Sequence, residues 1–534
     1  MSSQPVQTLS WRDERPVFVE RTAPCRSGCP AGENIREWLA LVQSGDVHAA
    51  WRALTAVNPL PASMGRICYH PCEAACNRAH LDSAVAINAV ERFIGDEAIR
   101  QGWRFDPPAS ETGKRVLVVG SGPSGLSAAY HLRRLGHGVV VRDSAPAGGG
   151  MMRYGIPTYR LPRAILDSEI GRIAELGVTM KFGEKVDDVP RAMTDGGFHA
   201  AYLAVGAHIG KRADIADRAN VMDAVSLLRA MASGEKPSLG HRVVVYGGGN
   251  TALDASRTAR RLGCEVTIVY RRTRALMPAH DMEVDEALEE GVAIRWLSTI
   301  KAVNGDGTIV LEAMELDSSG FPQPTGRRET MAADTVVLAL GQDADLDFVK
   351  AVHGVEIAKG LLSVGPDMMT GAPGIYAGGD MVRLLRTATT GIGDGWNAAL
   401  QIDTRLRGTF LHTEPDAEPA GFDRLHTWYY KPARAAEQRK RSPDARIADF
   451  SEVIGGLEEA DARQEASRCL SCGHCFDCGS CQDVCPEDAI IIAGSEINLE
   501  KCTTCKLCIK ECPCGAIGIA PRREIRVDRN GGRL

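Results

Sequence analysis

The sequence predicts an α/β chain built on two doubly wound nucleotide-binding domains, with a helical cysteine-bearing domain before them and a cysteine-rich tail after them. Three observations carry that prediction. Two stretches, "RVLVVGSGPSGLSAAYHLRRLGHGVVVRD" from Arg115 and "RVVVYGGGNTALDASRTARRLGCEVTIVYRR" from Arg242, each read strand, glycine turn, helix, strand. Their continuous apolar runs suit parallel strands covered on both faces. The 17 cysteines are unevenly placed, with five between Cys25 and Cys76, Cys264 alone, and eleven between Cys469 and Cys514. In the last group "CFDCGSCQDVCPEDAIII" and "CTTCKLCIKECPCGAIGI" repeat one motif, Cys502 following Cys475 by 27 residues.

In chain order, residues 1–108 read as a helical domain, because "ENIREWLALVQSGDVHAAWRAL" puts Ile35, Leu39 and Val42 on one helical face. The segment "DPPAS" marks its end. Residues 114–240 hold the first dinucleotide unit and 241–333 the second, and 334–408 return to the first domain. The short runs "AAYLAVGA" and "ADTVVLALGQ", each ending in glycine, are the expected crossovers between the two. Residues 409–468 read as a linker opening on "TFLHTEPDAEPAG", with a helix over "FSEVIGGLEEADARQEASRC" capped at Ser451. The aromatic stretch "HTWYYKPAR" is expected to anchor that linker. Residues 469–534 form the tail.

Composition narrows the function classes. A formal charge of −6 over 534 residues names no partner, and no basic segment points to nucleic acid. The longest apolar pieces resemble "VVLAL" near Val336, too short to span a membrane. The opening "MSSQPVQTLSWRDERP" has no apolar run or cleavage site, so the expectation is a cytoplasmic protein with reduced thiols. Clustered reduced thiols point to metal.

Four thiolates around an iron–sulfur cube come from a short wrapping loop plus one residue from elsewhere. A CxxCxxCxxxCP run supplies this, its fourth cysteine serving the other cluster. One [4Fe–4S] site is therefore assigned to Cys475, Cys478, Cys481 and Cys512, and a second to Cys502, Cys505, Cys508 and Cys485. Zinc sites pair two CxxC knuckles across a longer gap. The tail resembles a bacterial-type two-cluster ferredoxin, a carrier of single electrons. Cys469, Cys472 and Cys514 are left over and read as buried structural thiols.

Single electrons need a source. In "GSGPSG" the glycines Gly120, Gly122 and Gly125, with Pro123 and Ser124, permit a tight Rossmann-like turn, and the helix start can hold a pyrophosphate. Asp143, at the end of the following strand, is placed for a ribose hydroxyl. The second turn, "GGGNTA", offers Gly247, Gly249, Asn250, Thr251 and Ala252. After its second strand stand Arg271 and Arg272, which suit a 2′-phosphate and hence NADP(H) over NAD(H). Two nucleotide sites in one chain pair naturally as flavin and nicotinamide, since a flavin converts a hydride into single-electron steps.

From about Arg21 to Ile402 the chain resembles the small subunit of glutamate synthase and the matching module of dihydropyrimidine dehydrogenase. The resemblance rests on "GRICYHPCEAACNR", "INAVERFIGDEA", "GGGMMRYGIPTYRLP", "GGGNTALDASRTARRLG", "VYRRTRALMPA" and "GIYAGGDMV". It implies an N-terminal iron–sulfur domain followed by FAD and NADPH domains. It further implies that Gly120, Gly122, Gly125 and Asp143 hold FAD, that Gly150, Met152, Arg153 and Gly155 border the flavin ring, and that Gly379 and Asp380 meet the ribityl chain. The start of the helix in "TTGIGDGWNAA" would face the flavin. The family's N-terminal CxxCxxxxCxxxC run is incomplete here, since "VFVERTAPCRSGCP" keeps only Cys25 and Cys29. By resemblance Cys29, Cys68 and Cys72 form one cluster site with Glu91 as an oxygen ligand. Cys25 and Cys76 remain as remnants, either of which is an alternative to Glu91.

The expectation is an electron-transfer subunit with FAD, NADP(H) or NAD(H) and three [4Fe–4S] clusters, passing electrons between nicotinamide and a protein. Its partner would be a ferredoxin or the catalytic subunits of a 2-oxoacid:acceptor or sulfite reductase type complex. The competing expectations are a glutamate synthase-like small subunit, a self-sufficient small-molecule reductase, and a structural zinc scaffold.

Overall fold

A computed structural model describes residues 14–211, 220–409, 417–492 and 494–521. Most of the acidic stretch after Gly408 and the end of the tail lie outside them.

Two parallel five-stranded sheets form the body. The first runs Ile375–Ala377, Ala200–Leu203, Arg115–Val119, Gly138–Asp143, Thr179–Phe182. Its central strand buries Val116, Leu117 and Val118 completely, which is why that segment carries no alternation of polar and apolar residues. The helix Pro123–Arg134 covers one face, and the helix Ala388–Arg407 packs on it. The second sheet runs Ala293–Arg295, Glu265–Val269, Arg242–Tyr246, Thr335–Leu338, Val221–Asp223. Thr335–Leu338 thus belongs to the second sheet and not to the returning half of the first, and Val221–Asp223 joins it from before residue 241. Both are four-residue or shorter runs whose partner the local pattern does not specify. An antiparallel sheet of Ser298–Val303, Thr308–Leu316 and Pro322–Ala332 is appended to it.

The N-terminal domain is helical. Gly45, left-handed with φ 93°, ends the helix Ile35–Ser44, and Asp46 caps the next, Val47–Thr55, by accepting from the Ala49 amide at 2.9 Å. Trp38, Leu39, Val42 and Leu54 are buried with Ile94 of the helix Ile87–Arg100. The same core includes Leu457, Ala462 and Ala466. Much of the expected linker is therefore part of the first domain. Its helix starts at Glu459, not near Ser451, because Gly455 and Gly456 interrupt the run and Glu458 takes the cap position.

The two chain ends also meet. Glu14–Phe18 pairs antiparallel with Ile517–Pro521, Phe18 opposite Ile517. Among the described residues no helix is long and apolar enough to cross a membrane.

Candidate functional site

Each glycine turn is required by its surroundings. A Cβ on Gly120 would lie 2.3 Å from the Ala204 carbonyl oxygen, and one on Gly125 would lie 1.9 Å from that of Gly120. Gly122 faces open space, and the helix starting at Pro123 has no side-chain cap, so its first amides are free for an anion. The Asp143 carboxylate accepts from the Ser121 amide at 2.7 Å and hydroxyl at 2.6 Å, which fixes it at the end of its strand. In the second turn a Cβ on Gly247 would lie 2.2 Å from the Ala339 carbonyl oxygen, while Gly249 is open and again uncapped before the helix Asn250–Arg261. Asn250 accepts from the His280 amide at 3.1 Å, Thr251 from the Gln342 amide group at 3.1 Å, and Ala252 is buried.

Both turns open into one cavity of about 640 Å³. Gly122, Pro123, Ser124, Asp143, Gly150, Met152 and Gly155 wall it on one side, Gly249, Asn250 and Thr251 on the other. Gly379 and Asp380 close it, with Ala388 and Gly391 from the start of the long helix. Burial pushes the Asp380 carboxyl up to about 6, against the pull of Arg386. The open glycines and uncapped helix starts would suit the pyrophosphates of two dinucleotides.

Arg153 departs from expectation. Its guanidinium turns back to the Gly148 carbonyl at 2.5 Å and to Asp167, and it lines no part of this cavity. Arg271 is exposed and Arg272 half-buried just past the strand Glu265–Val269, outside the cavity wall. The wall residues that were not expected include Ile67 and Tyr69, which flank Cys68. The Tyr69 ring stacks on His280 at 3.6 Å. Tyr69 stands inside the motif "GRICYHPCEAACNR", where only its adjacency to Cys68 hints at a place in the site.

Cys68 links this cavity to the first thiol group. Burial pushes its thiol up to about 12, with the Glu91 carboxylate adding to the rise. Cys29 and Glu91 likewise perturb Cys72. Glu91 itself is buried, accepts from Asn58 at 2.8 Å, and is raised by burial and by Glu33. Cys29, Cys68, Cys72 and Glu91 thus share one region, and buried thiols beside a buried carboxyl fit the cationic core of an iron–sulfur cluster.

Cys25 and Cys76 do not join them. They line a separate small cavity together with Cys469 and Cys472, apart from Glu91, and the last two are not isolated thiols. Their sequence signal is the Cys469-x-x-Cys472 spacing, which the adjoining duplicated motif obscures.

In the tail burial raises the Cys481 thiol, with Cys512, Cys475 and Cys478 adding most and Cys508 less, and burial raises Cys508, with Cys502, Cys505 and Cys485 adding. Each group thus takes its fourth thiol from the other run. Cys514 is buried 3.8 Å from Cys512. Among the described residues no three such side chains converge tightly enough to hold a single metal ion. A four-iron cube with one thiolate per corner needs ligands that surround a volume instead.

Fold and site together define a flavin- and nicotinamide-dependent oxidoreductase with iron–sulfur domains at both ends. Residues 114–395 match the model of the pyridine nucleotide-disulphide oxidoreductases, and the chain belongs to that family. Residues 17–103 match the 4Fe-4S cluster domain II of dihydropyrimidine dehydrogenase, and 495–518 a 4Fe-4S binding domain. The chain is 35% identical to the NADP(+)-dependent formate dehydrogenase subunit beta of Moorella thermoacetica, over 84% of this chain and 70% of that protein. It is 31% identical to the NADPH-Fe(3+) oxidoreductase subunit beta of Geobacter sulfurreducens (85% and 76%), and 33% identical to the glutamate synthase [NADPH] small chain of Escherichia coli (70% and 87%).

Proposed function

We propose that this chain is the cytoplasmic electron-transfer subunit of a larger oxidoreductase, exchanging hydride with NADPH at FAD and single electrons with a protein partner. The observation that carries this reading is the continuity of one cavity, lined by both glycine turns, with the residues on either side of Cys68. FAD supplies the conversion between hydride and single electrons. The residues Gly120, Gly122, Pro123, Ser124 and Gly125 bind its pyrophosphate, Asp143 orients its ribose, and Gly379 and Asp380 meet its ribityl chain. Gly247, Gly249 and the start of the helix at Asn250 hold the nicotinamide dinucleotide. Arg271 and Arg272 read its 2′-phosphate. The three relatives above are named for NADP(H), and all three are named as subunits or a small chain. That supports a partner chain that completes the activity, either a catalytic subunit or a ferredoxin.

The test is anaerobic addition of NADPH to the natively purified protein, followed by identification of co-purifying chains. Flavin bleaching, then reoxidation by the co-purified partner, is expected. A protein that NADPH does not reduce, or that holds zinc in place of iron, overturns the reading.

A further inference from the structure

Cys25, Cys76, Cys469 and Cys472 come from opposite ends of the chain and line one cavity. All four are free thiols. Cys25 lies in the helix Pro24–Gly28, Cys76 precedes the turn Asn77–His80, and Cys469 and Cys472 stand on a tight loop where Ser471 has φ 47°. The cavity is about 20 Å³, the same as the one enclosed by Cys485, Cys502, Cys505 and Cys508 in the tail.

Strong contacts hold the two halves together. Arg78, 2% exposed, donates to the Arg468 carbonyl at 3.1 Å. Arg468, 1% exposed, pairs with Asp82 at 3.0 Å and donates to the Ser83 carbonyl at 2.7 Å. The Asn77 amide group points at the Cys472 sulfur from 3.5 Å. Burying four thiols as small hydrophobes asks for none of this, nor for two arginines in the cavity wall, Arg36 and Arg78, the latter also paired with Asp82. A cluster with four thiolates carries net negative charge, which those cations and the Asn77 donor offset.

We propose that Cys25, Cys76, Cys469 and Cys472 hold a further [4Fe–4S] cluster, ligated half by the N-terminal domain and half by the segment that leads into the tail. Its place follows from the chain. Cys25 and Cys76 each lie four residues from a thiol of the flavin-side group, Cys29 and Cys72, and Cys472 lies three residues before Cys475 of the tail. The site is both the joint between body and tail and the position where a one-electron relay between them belongs.

The inference deepens the electron-transfer reading, but its readout is a metal count that needs neither NADPH nor a partner. The anaerobically purified full chain is expected to hold about sixteen irons, against about twelve for three clusters. The Cys469→Ser, Cys472→Ser double variant is expected to lose about four irons and one set of reduced-cluster paramagnetic signals while keeping its flavin. About twelve irons in the wild type, zinc at these thiols, or a variant with its full iron complement overturns the proposal. Should the variant not accumulate, thiol alkylation of the native protein decides. Cys469 and Cys472 are expected to resist iodoacetamide until iron is chelated, and labelling before chelation overturns it. Failure of NADPH to bleach the flavin would sink the functional reading and leave this count standing.

Discussion

A Cβ added to Gly393 would lie 2.5 Å from the carbonyl oxygen of Pro30. Gly393 belongs to the helix Ala388–Arg407, whose first turn lines the flavin cavity, and Pro30 directly follows Cys29. The glycine lets a cysteine-bearing loop lie against the flavin-facing helix. In an exposed helix Gly→Ala gains about 1 kcal/mol. Here the obstacle is backbone, which cannot rotate away, so Gly393→Ala is expected to destabilise by about 1–3 kcal/mol in denaturant melts. Hydride transfer from NADPH to FAD should persist in stopped-flow traces, and the following cluster reduction should slow. A variant as stable as wild type would show that the loop is not held at this contact.

In the proposed reading Arg271 and Arg272 carry the nucleotide preference. Charge-assisted hydrogen bonds contribute about 1.5–3 kcal/mol each, so replacing both by alanine should raise the KM for NADPH by tenfold or more and change that for NADH little. Equal losses for the two nucleotides would remove these side chains from phosphate recognition.

His131 makes the docking of the two N-terminal units sensitive to acid. It lies in the helix Pro123–Arg134, is 4% exposed, and its Nε2 donates to the Val57 carbonyl at 2.9 Å. Burial holds its pKa down at about 3, despite that bond, with Arg134 adding to the fall. The unfolded chain therefore takes up a proton near pH 6.5 that the folded chain refuses, and stability falls with pH from about 6.5 toward 3. At pH 5 the loss amounts to about 2 kcal/mol. A His131→Gln variant, less stable at pH 7, should close on the wild type by about that amount between pH 7 and pH 5 in chemical denaturation. Parallel curves would show that the imidazole stays paired or solvated.

The parts of this architecture that sequence discloses are those with a local cause. The glycine turns are visible because Gly120, Gly125 and Gly247 each avoid a backbone oxygen within 2.3 Å, a constraint that leaves a spaced signature. The tail thiols are visible because each run places three cysteines at close, regular spacing by itself. Sequence does not disclose pairings made across the chain. Thr335–Leu338 is apolar whichever sheet it joins, and Cys25 meets Cys469 only because the helix Glu459–Ser467 packs back on the first domain. Arg153 carries a family motif, yet its rotamer is set by Asp167, a partner that motif does not contain.

Cys505 tests whether the tail is the outlet to the partner. Cutting the chain before Cys469 does not isolate the tail, because it also removes the two thiols facing Cys25 and Cys76 and the strand that pairs with Glu14–Phe18. Cys505 is exposed, and the other thiols of its group are Cys502, Cys508 and Cys485, all in the tail. Serine there weakens one cluster while leaving both glycine turns, Asp143 and Asp380 untouched. Reduction of a small dye that reaches the flavin should continue at the wild-type rate. Reduction of the protein partner should fall at least tenfold, because in the proposed reading the two tail groups act in series and losing one interrupts the relay. Iron analysis must show loss of the cluster, and size-exclusion chromatography must show the complex intact. Partner reduction at the normal rate under those two conditions would take the tail off the electron path and assign the outlet to the flavin-side thiols around Cys68.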